Sequence, residues 1–254
     1  MAVKRSQSAS RAFSIFEVVA SHQPIGMTAV AKLLDEDRSA VQRALATLAD
    51  AGWIKPSPIA PNRWELSPRM FAIAHLPHSA EDLRQRARQV LEHLRDATGE
   101  TAFLAIPDAE RFVLIELADS PHALRMVLRV GEIIPAQESA TGRAVLPYLG
   151  VEKQREMLGR EPSEADRAQF AVTRTRGYGL SVGEVQPGST NIAAAIFDRD
   201  GQPIGALGLS GPTERFTAER HAAAGALLVE CARTLSRNAR EWLRADAAEA
   251  EAEV

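Results

Sequence analysis

A single cysteine, Cys231, stands in a chain of 254 residues. One thiol cannot close an intramolecular disulfide or build a Cys-rich zinc site, so a stapled secreted scaffold and a zinc-ribbon fold are excluded. A reducing cytoplasm is the expected location. Long apolar runs are missing as well: none approaches the roughly 20 residues that span a bilayer. The opening MAVKRSQSASRAF has no apolar signal core, so neither secretion nor a membrane partner is expected. His22, His75, His78, His93, His122 and His221 fall at no ligand spacing, and no metal or cofactor is expected. Strong net charge is absent too, at −3. That total hides a split: residues 1–70 carry nine Lys/Arg against six Asp/Glu, and 71–254 carry 21 against 27. A locally basic module on an acidic body fits site-directed DNA binding better than diffuse attraction to polyanions.

What is present begins with residues 25–64, IGMTAVAKLLDEDRSAVQRALATLADAGWIKPSPIAPNRW. Ser8 or Ser10 can cap a preceding helix with Ala12, Phe13, Ile15, Phe16, Val19 and Ala20 at helical spacing, ending near Gln23–Gly26. Thr28 can cap a second helix with Val30, Ala31, Leu33 and Leu34 inward. Asp35 to Arg38 form a turn, and Ser39 opens a third helix with Val41, Leu45 and Leu48 inward. Gly52 closes it, and Trp53-Ile54 and Trp64-Glu65-Leu66 flank a proline-rich loop. Two short helices, a tight turn and a β-wing are the order of a winged helix-turn-helix, which places one helix in the major groove of double-stranded DNA.

The third helix offers Arg38, Ser39, Ala40, Gln42 and Arg43 in its first turns. Arginine can fork onto guanine and glutamine onto adenine, while Thr28 or Ser39 at a helix start suits phosphate. Asn62 and Arg63 in the wing can touch phosphate or the minor groove. Each of these, like Arg11, can equally be an ordinary solvated polar residue.

The remainder predicts a second domain. Residues 79–97 place Leu83, Ala87, Val90, Leu91 and Leu94 along one side of a linker helix. Strand patterns follow in TAFLAIP, RFVLIELAD, ALRMVLRVG, NIAAAIFD and PIGALGLSG, with a helix entry at SATGRAVLPYLG and a charged helical stretch between. A last helix from Phe216 carries Cys231 on its apolar stripe. The expected organisation is a DNA-binding domain at 1–76, a linker helix at 77–98, a second domain at 99–243, and an acidic disordered tail at 244–254.

These residues resemble the IclR family of bacterial transcriptional regulators over roughly residues 8–240. The resemblance is carried by RSAVQRALATLADAGWI and RWELSP, and more specifically by RVGEIIPAQESATGRAVLPYL, RTRGYGLSVGEVQPG and NIAAAIFDRDGQPIGALGLSGP. It implies an α+β chain in which a winged helix-turn-helix is joined by a linker helix to a GAF-like domain that binds an effector. It also implies a homodimer or tetramer on a palindromic operator. Ala140, Thr141 and Gly142 then form the turn that faces the effector, with Leu124, Met126 and Leu128 as an apolar wall. Ser210 and Glu184 match the family pattern. Arg143 stands where Lys is common, Ser181 where Asp is frequent, Asn191 where Cys is common and Gly208 where Ser is common. Those departures imply a roomier, less charged pocket, suited to a neutral or aromatic-acid effector rather than a small keto acid.

Two other classes are open to the residues. An enzyme would need a nucleophile motif, but GLSGP lacks the last glycine of G-x-S-x-G and RGYGLSVG fails G-x-G-x-x-G. An effector-independent architectural protein would gain little from an acidic second domain. The expected protein is a non-enzymatic regulator that binds DNA under the control of a small molecule in its C-terminal domain, an organic or aromatic acid or a related metabolite.

Overall fold

Ser6 accepts the N–H of Ala9 and starts helix α1 (Gln7–His22), one residue pair ahead of the expected caps Ser8 and Ser10. In the computed structural model residues 6–74 and 79–252 are described, with side chains over 6–73 and 83–236, and the chain divides into units of residues 1–77 and 78–254. The boundary expected at 76–77, with His75 and His78, lies outside the described residues. No helix among the described residues is long and apolar enough to cross a membrane.

In the first unit α1 is followed by β1 (Ile25–Gly26), α2 (Met27–Leu34), α3 (Arg38–Asp50), β2 (Ile54–Pro56), β3 (Arg63–Leu66) and α4 (Arg69–Ala74). The strands form an antiparallel sheet in the order β1-β3-β2. Ile15, Val19, Val30, Val41, Leu45 and Ile54 make the core. Phe13 and Leu33, expected inward, are 69% and 54% exposed. Leu33 lies roughly 110° around α2 from the centre of the face made by Val30, Ala31 and Leu34. Ala51 is the C-cap of α3, its carbonyl accepts from Arg69, and Gly52 follows at φ +77°.

The second unit opens with α5 (Ser79–Thr98) and continues through β4 (Thr101–Asp108), β5 (Arg111–Ala118), β6 (Ile133–Pro135), α6 (Ala140–Val145), α7 (Val151–Leu158), α8 (Glu164–Arg176), β7 (Gly179–Val182), β8 (Ser189–Phe197), β9 (Pro203–Pro212) and α9 (Ala218–Ala252). Its six strands are antiparallel in the order β6-β5-β4-β9-β8-β7. Alternation splits the sheet's side chains. Leu104, Ile192, Leu207 and Leu209 pack with Leu91 and Leu94 of α5 and Leu228 of α9. Phe103, Ala193, Ala195 and Ala206 pack with Ala140 and Ala144 of α6. The result is an α+β unit with helices on both faces.

Alternating Leu124, Met126, Leu128 and Val130 predict a strand over 123–131, yet none forms there. The segment's carbonyls are held by side chains instead of a ladder: Leu124 O accepts from Arg215 and Met126 O from Thr101. Helix α9 continues through the Ala/Glu segment from 245 to 252, where disorder is expected from composition. Alanine and glutamate are strong helix formers, so the same composition also suits a helix. Residues 253 and 254 of that tail lie outside the described residues.

Candidate functional site

Helix α3 has one face in the core and one in solvent. Val41, Leu45 and Leu48 are buried, while Arg38, Ser39, Gln42, Arg43 and Thr47 are exposed. Its N-cap is Asp37, which accepts from the N–H groups of Ser39 and Ala40 and from the Ser39 hydroxyl. The Ser39 hydroxyl, then the Ala40 N–H, hold the Asp37 carboxyl below the usual aspartate range, so it stays ionised. This corrects two expectations. Ser39 is not the cap, and the helix start is not a free phosphate seat, because a carboxylate already occupies its N–H groups. Ala40 is also corrected: its methyl is buried and cannot reach a base.

The remaining outward groups are partly pre-arranged. Ser39 Oγ accepts from Arg43 Nη1 at 3.2 Å, so Asp37, Ser39 and Arg43 form a chain along the outer face. Arg38 Nη2 donates to Thr28 Oγ1 at 3.3 Å, tying α3 to α2. Thr28 is therefore not a cap: Gly26 holds that position without a side-chain bond. Arg11 pairs with Glu36 at 2.9 Å, a partner any phosphate would have to displace. In the wing, Asn62 takes φ +58°, and Arg63 turns onto the Pro24 carbonyl at 3.1 Å. The Gln42 side chain has no hydrogen-bond partner among the described residues.

In the second unit the register sets a row of polar residues across one sheet face. Thr101 pairs with Ser210, Ser210 with Asn191, and Asn191 with Ser181. Paired residues of adjacent strands point the same way. The next row on that face is Phe103, Gly208, Ala193 and Gly179. Helix α6 lies close against Gly179, where a Cβ would stand 2.3 Å from the Ala140 carbonyl oxygen. Between this face, the start of α6 and the segment before β6 is a cavity of about 70 Å³.

Five residues implied for the effector site line that cavity: Leu128, Ala140, Thr141, Asn191 and Ser210. The other six do not. Leu124 is 72% exposed, and Met126 is half-buried with its carbonyl on Thr101. Ser181 lies one strand beyond Asn191, buried. Gly142 is pressed on the Ala136 carbonyl. Glu184 accepts both Nη groups of Arg143, at 2.6 and 2.7 Å. Burial opposes its charge, but Arg143 outweighs burial and holds the Glu184 carboxyl below the usual range. Gly208 leaves no extra room, because the Phe103 ring stands over it, 2.1 Å from an ideal Cβ.

Sequence alone misses Phe103, Ser139, Val185, Gln186 and Ser189 of the lining, and Glu132 to Pro135 beside them. Phe103 has a signal in the TAFLAIP alternation, which places it opposite the Gly and Ala positions of β9 and β8. Ser139 does two jobs as N-cap of α6, accepting from Gly142 N–H and donating to Pro135 O. The Phe103–Gly208 contact is testable. Gly208→Ser is expected to cost about 2 kcal/mol by overpacking, and Phe103→Leu in the same chain should recover most of it. Thermal unfolding of the two single variants and the double measures this; additive losses would mean that the residues share no space.

Comparison with known proteins gives two family matches. Residues 77–237 match the bacterial transcriptional regulator IclR C-terminal domain, and residues 8–58 match the IclR helix-turn-helix domain. The chain is 30% identical over 238 residues to the HTH-type transcriptional regulator BhcR of Paracoccus denitrificans, covering 89% of this chain and 85% of that one. It is 25% identical over 244 residues to the transcriptional repressor IclR of Escherichia coli, covering 91% and 89%. An IclR homolog from Microbacterium hydrocarbonoxydans, solved as a complex with 4-hydroxybenzoate, shares the fold with a TM-score of 0.78 at 20% identity, covering 92% of this chain and 99% of that one.

Proposed function

Because the chain belongs to the IclR family of bacterial transcriptional regulators, we propose that it reads operator DNA through Arg38, Gln42 and Arg43 of α3 and adjusts that binding to a small organic effector held in the C-terminal cavity. The observation that carries the first half is the exposed Arg43, oriented by Ser39 and Asp37 on the outer face of a helix whose inner face is core. A guanidinium held in place loses less freedom when it forks onto a guanine. Gln42 beside it is unengaged and suits adenine. Thr28, Arg11 and the wing residues Asn62 and Arg63 supply contacts to the backbone of the duplex, at the cost of the internal bonds they now make.

The second half is supported by a partly open cavity with hydroxyl and amide groups on one wall, and by the 4-hydroxybenzoate found in the Microbacterium homolog. Linkage then requires the effector to bind DNA-competent and DNA-incompetent states with different affinity. A homodimer or homotetramer in the cytoplasm, bound to a palindromic operator, completes the proposal, since one recognition helix per subunit reads one half-site.

Selection of bound duplexes from random DNA with the full chain tests the DNA-reading half. A two-fold symmetric motif is expected. On the selected duplex, Arg43→Ala should lose about 2 kcal/mol of binding, roughly thirtyfold in Kd, with relaxed preference at one base pair. An unchanged footprint and unchanged Kd would remove Arg43 from the interface.

A further inference from the structure

We propose that the C-terminal cavity takes an uncharged ligand, an aromatic or aliphatic body bearing a carbonyl or amide, rather than a carboxylate; this rests on the cavity being the effector site. Among the lining residues Glu132 alone is ionisable, and it is an acid. Its Oε2 already accepts the Arg129 N–H. The nearest arginine in sequence to the α6 turn, Arg143, does not line the cavity: it is spent on Glu184 and on the Leu180 carbonyl. Helix α6 has six residues, and its Gly142 N–H is taken by Ser139. A carboxylate on this wall would therefore find no cation among the lining residues, and the one charge at the rim, the exposed Glu132, has the same sign.

What the wall does offer is neutral. Thr141 and Ser210 are each 1% exposed, line the cavity, and have no hydrogen-bond partner for their hydroxyls among the described residues. Asn191 spends one N–H on Ser189 Oγ and keeps its Oδ1 and second N–H for a ligand. Ser189 in turn is used up, donating to the Gln186 carbonyl. The free set is two hydroxyls and half an amide, all able both to donate and to accept. A small amide or hydroxy-ketone satisfies such a set, with Phe103, Leu128 and Ile134 as the apolar lining beside it.

The test is calorimetry with the full chain at pH 7.5, using benzamide, 4-hydroxybenzamide and 4-methylbenzamide against the three benzoates of the same skeletons. At least one amide is expected to bind about tenfold or more tightly than its acid, because only the acid brings a charge to a lining that offers it no cation. Equal or tighter binding of the acid in every pair would overturn the proposal, as would failure of all three amides to bind at millimolar concentration. Asn191→Ala and Ser210→Ala should each weaken the bound amide about tenfold. Undiminished binding in both variants, with folding intact by circular dichroism, would instead remove the effector-cavity reading on which the proposal rests.

Discussion

Arg215→Met is expected to cost the C-terminal unit about 3 kcal/mol. Glu100 is 1% exposed in its side chain and immediately precedes β4. Its carboxylate receives both Nε and Nη2 of Arg215 at 2.7 Å, and Arg220 stands farther off at 3.9 Å. Removing one partner of a buried pair strands the other charge, and the distant Arg220 offsets only part of that. The same substitution frees the Leu124 carbonyl, which Arg215 Nη1 holds, so the segment carrying Leu128 over the cavity loses an anchor. Urea unfolding followed by circular dichroism measures the loss. Pairing Arg215→Met with Glu100→Gln should recover much of it, since the stranded charge is gone. A single variant as stable as the parent would mean that the pair is solvated in solution.

Gly142→Val is expected to be at least as damaging, at about 3 kcal/mol or more. A Cβ there would stand 1.8 Å from the Ala136 carbonyl oxygen, 2.7 Å from its carbon and 3.1 Å from its Cα. All three are backbone atoms, so no side-chain rotation relieves the overlap. Helix α6 must move, and with it Ala140 and Thr141 of the cavity wall. Gly150→Ser is the control, because nothing lies within 4 Å of that position. Gly150 is the N-cap of α7, where serine is favourable, so its thermal midpoint should stay or rise slightly. Equal midpoints for the two variants would contradict the close packing of α6.

Much of the helical framework was legible because apolar spacing at 3.6 residues reports burial directly, as Val41, Leu45 and Leu48 do in α3. Caps were less legible. Asp37, Ser39 and Thr28 are all capping residue types, and an ionised carboxylate within reach of two N–H groups outcompetes a hydroxyl. In the second unit, alternation marked β4, β5, β8 and β9. It also suggested a strand through Leu124–Val130, because alternation cannot tell which backbone groups will find a ladder. There the carbonyls are taken by Arg215, 91 residues away, and by Thr101. The four-residue β7 and three-residue β6 are too short for periodicity to register.

The candidate cavity was legible only in part, for a related reason. Thr141, Asn191 and Ser210 stand in motifs that the family resemblance marks, and they come together through the sheet register. Which marked positions turn elsewhere depends on tertiary partners: Glu184 on Arg143, Gly208 on Phe103 and Gly142 on Ala136. Pocket size cannot be inferred from a missing hydroxyl when a neighbouring ring fills the place.

DNA reading by α3 is expected to be conditional on what occupies the C-terminal cavity. Fluorescence anisotropy of the selected duplex, titrated with the full chain with and without a saturating amide that calorimetry shows to bind, measures that coupling most directly. A change in Kd of about fivefold or more is predicted, matched by an equal change in amide affinity when DNA is bound. Identical operator Kd values with and without the bound amide would contradict it.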